Sequence, residues 1–459
     1  MKKIKTILVA LLACALCAVC LAGCMRVQET VYEREYEDGK IVLTVWTANP
    51  LISNYKSIRE GSMYYEQAQY TKRVVDKFEA ENPEYKVRLS SHGWGDALNM
   101  EVQRASLSND LPDLLVGEVY TQKYIDLGVL SPMDISDFQD TIVEGALKPG
   151  IVDGEVYAVP VMTGTFALYY NETMLIEAGY TNADNTAKIP QTWEELVQAS
   201  VQVQQHYNSP KKGGAIVCAA QNLANAFRAL PIMTSYGGNF LNDAGELVLD
   251  SQANIEAYDI IRRLAQTSPQ GTTAVTDQQQ LVTSFFNGDA AFMIESSTYY
   301  ATASETDLTR NGTIKVTSLP KASETSERTN VVVGNMLYST IKYSPNKEAA
   351  LAFIKTLLSP ECQLDAFVSD GRIPVVNSVL SGLNTSEDAD VKDIAGKLEP
   401  FYTALLEDDL YAMPCFINNS STIWSAYNNF FSDVVSSSAT LESITSSLKS
   451  TSNEIAGKL

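Results

Sequence analysis

The residues of this chain best suited to chemistry are aromatic: four tryptophans (Trp46, Trp94, Trp193 and Trp424) and 23 tyrosines. They stand among acids, amides and arginines. Rings of this kind stack on the C–H faces of a polyhydroxylated molecule, and Asp, Glu, Asn and Arg pair with its hydroxyls. Bond-making machinery has no signature here. Two histidines, His92 and His206, exclude a three-histidine metal centre. No Gly-x-Ser-x-Gly elbow, Gly-x-x-x-x-Gly-Lys loop or His-Glu-x-x-His occurs. With 55 acidic residues, a carboxylate pair suited to glycoside hydrolysis can always be found on paper, so such a pair argues for nothing. Nothing in the pattern spells out catalysis, and no metal or cofactor is expected.

Four of the seven cysteines, Cys14, Cys17, Cys20 and Cys24, lie in an N-terminal segment that opens with Lys2, Lys3 and Lys5 and runs apolar from Ile7 to Leu21. A basic start, a short apolar run and small residues at its end mark a removable secretory signal. The run is short for a bilayer span of about 20 residues. Leu21-Ala22-Gly23-Cys24 resembles the bacterial lipobox. That resemblance implies a signal over residues 1–23 and an acylated Cys24 anchoring the mature chain to the extracytoplasmic face of the bacterial cell membrane. Cys218, Cys362 and Cys415 are odd in number and widely spaced, and read as buried thiols rather than a disulfide framework. Loss of Lys2, Lys3 and Lys5 takes the net charge from −21 to −24. So acidic a surface repels nucleic acid and anionic headgroups, leaving membrane attachment to the lipid.

Residues 24–40 are polar and acidic and read as a flexible tether. From Ile41 to Trp46 the chain turns β-rich. The spacing of Val74, Val75 and Phe78 predicts a helix over Tyr70–Ala80, stopped at Asn82-Pro83. A strand over Tyr85–Leu89, a helix over Ala97–Leu107 and a strand from Leu111 follow. This alternation predicts parallel βαβ units covered on both faces. Tyr157–Tyr170 reads as strand-rich, and helices are predicted over Trp193–His206 (capped by Thr192), Ser251–Gln266, Asn346–Leu358 and Thr440–Leu459.

Several of these pieces recur in one order. They are Val45-Trp46-Thr47, Phe78-Glu79-Ala80-Glu81-Asn82-Pro83, Leu111-Pro112-Asp113-Leu114, Leu127-Gly128-Val129-Leu130-Ser131-Pro132-Met133, Tyr157-Ala158-Val159-Pro160, Leu168-Tyr169-Tyr170-Asn171, Thr192-Trp193-Glu194-Glu195-Leu196, Phe286-Asn287-Gly288-Asp289-Ala290-Ala291-Phe292-Met293 and Gly371-Arg372-Ile373-Pro374. From about Val42 to the C-terminus, the order resembles the extracellular solute-binding proteins of ABC importers, the family that includes maltose- and glycerol-3-phosphate-binding proteins.

The resemblance implies an α/β, two-lobed, type II periplasmic-binding-protein-like fold, with a ligand cleft between lobes joined by crossing strands. Lobe one would take residues 41–162 and 335–371, and lobe two residues 163–334 and 372–459. The crossings would lie near Val161–Gly164, Val333–Leu337 and Gly371–Pro374. Ligands of open α/β sheets sit beyond the carboxyl ends of the strands. That places Trp46, Trp94, Glu118 and Tyr120 at the cleft, with Thr163 and Asn335 at crossings, Tyr170 on the hinge-side strand, and Tyr236 in a loop that in relatives approaches the ligand. Trp424 completes the aromatic candidates, while Trp193 is expected to pack. Glu295, Ser296, Ser297 and Tyr299 stand where many sugar binders have Gly-Pro-Trp. The paired serines look more like the glycerol-3-phosphate branch. Arg372 replaces that branch's tyrosine and would grip an anion or a pair of hydroxyls.

The function implied is that of a monomeric, lipid-anchored substrate-binding protein that captures a carbohydrate or polyol and delivers it to ABC permease subunits. The alternatives are a glycerol-3-phosphate or glycerophosphodiester binder, a ligand sensor for a membrane kinase, and, furthest from the pattern, a secreted glycoside hydrolase.

Overall fold

A computed structural model describes residues 32–49, 53–62, 65–93, 96–117, 121–216, 223–242, 246–275, 278–297, 299, 307–332, 336–407, 409–411, 426 and 429–457. In chain order the strands are β1 (Tyr36–Glu37), β2 (Lys40–Thr47), β3 (Tyr85–Ser91), β4 (Leu114–Gly117), β5 (Ile151–Val152), β6 (Glu155–Val156) and β7 (Val159–Pro160). Then come β8 (Phe166–Asn171), β9 (Gly213–Ile216), β10 (Ala290–Ser296), β11 (Ile314–Thr317), β12 (Thr329–Val331), β13 (Leu337–Thr340) and β14 (Asp409–Tyr411).

Two sheets organise the chain. The first runs β1-β2-β4-β13-β7 with β3 on β2, and the second β11-β8-β10-β9. β2 pairs in parallel with both β3 and β4, as the strand–helix alternation predicts. The helix Tyr65–Glu81 buries Tyr70, Val74, Val75 and Phe78 and ends before Asn82-Pro83, but it starts five residues earlier than the sequence pattern indicated because Gln67 and Ala68 are buried too. Helices Trp193–Tyr207 and Gln252–Ala265 are capped by Thr192 and Ser251, whose side chains accept from the backbone N–H of Glu195 and Asn254. Trp193 is fully buried and donates its indole N–H to Ser235, a packing role. Cys362 is a buried free thiol.

The tether expectation is corrected at its C-terminal end. Residues 36–41 form a hairpin, with Tyr36 opposite Ile41 and Glu37 opposite Lys40. Asp38 (φ 53°) and Gly39 (φ 79°) adopt the left-handed conformation a tight turn demands. Glu35 and Glu37 pair with Arg88 at 2.6 and 2.8 Å, and Lys86 pairs with Glu37, so acids that look like solvating residues clasp β3. The helix Asn346–Leu358 predicted from sequence is followed at once by another. Ser359 caps the next helix, Pro360–Asp370, with proline in the first turn, where its missing N–H costs nothing.

The chain leaves the first sheet after β7 and enters the second at β8, returns from β11 to β13, and departs again after the helix Pro360–Asp370. These passages are bonded side by side. Val161 N–H donates to Met336 O at 3.2 Å, while Thr163 and Ile373 exchange two bonds of 3.1 Å. One buried amide ties three pieces: Gln363, 1% exposed, donates to Val161 O (2.6 Å) and Leu357 O (2.9 Å) and accepts from Val375 N–H (2.8 Å). Asn330, fully buried, pairs with both backbone groups of Phe166. Thr165 donates to Phe401 O at 2.6 Å, fastening the first passage to the helix Ala389–Glu407.

A buried backbone group stripped of its partner costs about 1–3 kcal/mol. Gln363→Ala strips three, and we expect a loss of about 3 kcal/mol or more, measured by urea unfolding against wild type.

Candidate functional site

Where the three passages meet the first sheet, a recess of ≈ 40 Å³, within ≈ 570 Å³ of space that takes in open solvent, is lined by Met162, Met336 and Arg372. Val45, Asn49, Gln67, Tyr70, Tyr338 and Asp370 complete much of its wall. Such a mainly apolar lining with a few converging polar groups is the usual make-up of a small-molecule site. Gly371 has φ 62° and ends the helix Pro360–Asp370 by donating to Phe367 O. That left-handed turn folds the chain so that Arg372 Nε donates to Asp370 Oδ2 at 2.9 Å. Gln67 Nε2 donates to the same oxygen at 3.0 Å, from a helix 303 positions away in sequence. The side chains of Arg372 and Asp370 are 14% and 12% exposed. Burial raises the Asp370 carboxyl above its usual range, and Arg372 and Gln67 oppose that shift. Tyr70, 5% exposed, has a hydroxyl without a hydrogen-bond partner among the described residues, and burial pushes its ionisation well up.

The second sheet brings the end of β10 to the same junction, since Ser296 lies opposite Phe166, three residues past Thr163. Glu295, 2% exposed, forms a buried ion pair with Arg228, accepts from Gln278 Nε2 at 3.0 Å and accepts from Ser296 N–H at 2.8 Å. Ser297 is 1% exposed, and its hydroxyl has no partner among the described residues. Tyr169 donates to Ser296 O at 2.6 Å. Tyr299 packs, half-buried, against the core cluster that contains Met162 and Met336.

The structure thus gathers Thr163, Glu295, Ser296, Ser297 and Arg372 around the passages, with Tyr299 against the core cluster that Met162 and Met336 belong to. Three other candidates lie elsewhere. Successive strand residues face opposite sides, so Val45 lines the pocket with Arg372 while Trp46 faces away. Trp46 stacks on His92 with ring centroids 4.0 Å apart and borders a second, polar pocket with Tyr32, Arg88, Ser90 and Asp110. Tyr170, 9% exposed, is a core residue on the far half of β8, opposite Phe292 and Lys315. Tyr236 has burial and then Glu194 raising its ionisation, with Glu256, Arg263 and Asp259 also near, which sets it beside two helices of the second sheet. Trp94, Glu118, Tyr120, Asn335, Trp424 and Cys24 lie outside the described residues.

Sequence reasoning passed over Asp370, Gln67, Tyr70 and Arg228. The Asp-Gly-Arg triplet carried a signal, because a glycine between opposite charges permits the turn that pairs them. Gln67 and Tyr70 share a helix face at i, i+3, but nothing local points that face at residue 370.

A family model described as bacterial extracellular solute-binding protein matches residues 64–364. The arabinooligosaccharide-binding protein of Halalkalibacterium halodurans is 26% identical over 182 residues, 38% of this chain and 38% of that protein, so the matched stretch spans well under half of that relative. Among solved structures, the sugar-binding protein MalE from Xanthomonas citri superposes with a TM-score of 0.71 at 17% identity, covering 91% of this chain and 98% of that one. UgpB from Mycobacterium tuberculosis, in complex with glycerophosphocholine, gives 0.71 at 16% identity over 92% of this chain and all of that one. At such identities the likeness is one of fold.

Removing one member of a buried ion pair strands the other charge at a cost of about 3–5 kcal/mol, whereas replacing both by apolar groups is often close to neutral. Arg228→Met alone should therefore destabilise by that amount. Arg228→Met with Glu295→Leu should regain most of it, as read from denaturant midpoints.

Proposed function

Because this chain belongs to the bacterial extracellular solute-binding protein family and has the type II periplasmic-binding-protein fold, we propose that it captures a carbohydrate or polyol outside the cytoplasmic membrane and passes it to ABC permease subunits. It acts by binding and not by catalysis. In this reading, lobe one is the body around β2, β3, β4, β7 and β13, and lobe two the body around β8, β9, β10 and β11. Ligand lies where the passages join them. The observation that carries the reading is the Arg372–Asp370–Gln67 cluster, three hydrogen-bonding side chains converging on an apolar pocket at the hinge. A hinge in that place lets ligand shift an open–closed equilibrium, so affinity measures closed-state contacts less the cost of closing.

A second reading, capture of a glycerol phosphate ester, draws on Ser296-Ser297 and on the fold shared with the glycerophosphocholine complex. We place the mature N-terminus at an acylated Cys24, which the lipobox-like Leu21-Ala22-Gly23-Cys24 supports.

A thermal-unfolding screen against mono- and oligosaccharides, polyols and glycerol phosphates tests the ligand class. A true ligand at 100 times its dissociation constant adds about 2.7 kcal/mol of stability. We expect a neutral sugar or polyol to give that shift and Arg372→Ala to weaken it at least tenfold; a screen in which only phosphate esters shift the transition would overturn the sugar reading. For the anchor, labelled palmitate should enter the wild-type protein in cells and be absent from Cys24→Ser. Equal labelling of both would remove the lipid assignment.

A further inference from the structure

Two kinds of polar group stand around the junction, and their partners differ. The charged ones are matched within the protein: Arg372 with Asp370 at 2.9 Å, and Arg228 with Glu295 in a buried pair. Asp370 and Arg372 are the charged residues in the described lining of the pocket, so its formal charge is zero. Uncharged hydroxyls are the groups left over. Tyr70 Oη, in the pocket lining on a residue 5% exposed, has no hydrogen-bond partner among the described residues, and neither has Ser297 Oγ, 1% exposed and outside that lining. A ligand completes what the protein leaves incomplete, and what is incomplete here is neutral hydrogen bonding.

We infer that Asp370 sets the charge selectivity of this site: by holding and neutralising Arg372, it makes the pocket take an uncharged polyhydroxylated ligand and turn away phosphate esters. The inference deepens the capture reading above and rests on it. A phosphate dianion entering a mostly apolar pocket loses much of its hydration, and that loss is recovered where an unmatched cation receives it. Arg372 is not such a cation, because a carboxylate already holds its Nε within the pocket wall. For a sugar the same pair is an asset, a carboxylate accepting from one hydroxyl and a guanidinium donating to another. Gln67 keeps Asp370 in place from the helix Tyr65–Glu81, and its amide adds no charge. Asp370 is therefore a positioning residue whose removal changes which ligands bind, beyond how tightly they bind.

Calorimetry with glycerol 3-phosphate and inorganic phosphate, beside a panel of neutral sugars and polyols, tests this on wild type, Asp370→Asn and Asp370→Asn with Arg372→Gln. Wild type should bind glycerol 3-phosphate at least a hundredfold more weakly than the best neutral ligand. Asp370→Asn should bind glycerol 3-phosphate at least tenfold more tightly than wild type does, and the added Arg372→Gln should abolish that gain. Tight glycerol 3-phosphate binding by wild type, or an affinity unchanged in Asp370→Asn, would overturn the inference. Gln67→Lys, which adds a cation to the same cluster, should raise phosphate affinity likewise and covers the case in which Asp370→Asn fails to fold. Failure of the capture reading shows separately, as a panel in which no neutral sugar or polyol binds wild type. The comparison of phosphate binding between wild type and variants is read without any sugar.

Discussion

A chain that passes repeatedly between two sheets must hydrogen-bond its backbone where neither sheet reaches, and the rest of this structure depends on how it does so. In a sheet each N–H and C=O meets the next strand, but a passage between sheets has no such neighbour. Here the passages serve one another, Val161 with Met336 and Thr163 with Ile373, and side-chain amides supply the remainder. Gln363 and Asn330 are buried polar residues of the kind a core excludes unless every bond is made. Both donate and accept at backbone groups of the passages or of segments beside them. The bonds there are few and lateral, and the pocket opens in the same place.

Electrostatics separates surface from junction. Exposed ion pairs between partners one helical turn apart, such as Lys72–Asp76 and Lys397–Asp393, contribute little, since water and salt screen them. The buried pairs carry larger stakes because each charge alone would be costly. Arg228–Glu295 and Asp370–Arg372 stand at the junction, one on each side, and both are closed circuits. On the capture reading proposed above, an acidic protein whose junction charges are paired suits a neutral cargo, whose approach the surface charge neither hastens nor hinders.

The elements legible in the sequence were those whose cause is local. Thr192 and Ser251 start helices because their oxygens meet an N–H three residues on, and Asn82-Pro83 stops one because proline cannot continue it. β2, β3 and β4 were legible as a parallel set because helices separate them. The hairpin at residues 36–41 was not. Its acids resemble a solvated tether, and only Lys86 and Arg88, some 50 positions later, turn them into a clasp.

For the site, residue types in order along the chain determined the family and the candidacy of Thr163, Arg372 and the Glu295–Ser297 run. The tertiary structure decided which of those candidates share a space. Alternation along β2 makes one of Val45 and Trp46 face the pocket, and the sequence cannot say which, because both are apolar and either face of a sheet can be the covered one. The same holds for Tyr169 and Tyr170, which enter different core clusters. Arg372 reads on its own as a cation in search of an anion. Its partner is only two residues away, but the arrangement rests on a left-handed glycine and on Gln67 arriving from a helix 303 positions away in sequence. Such a bond is set by folded distance, and separation along the chain carries no information about it.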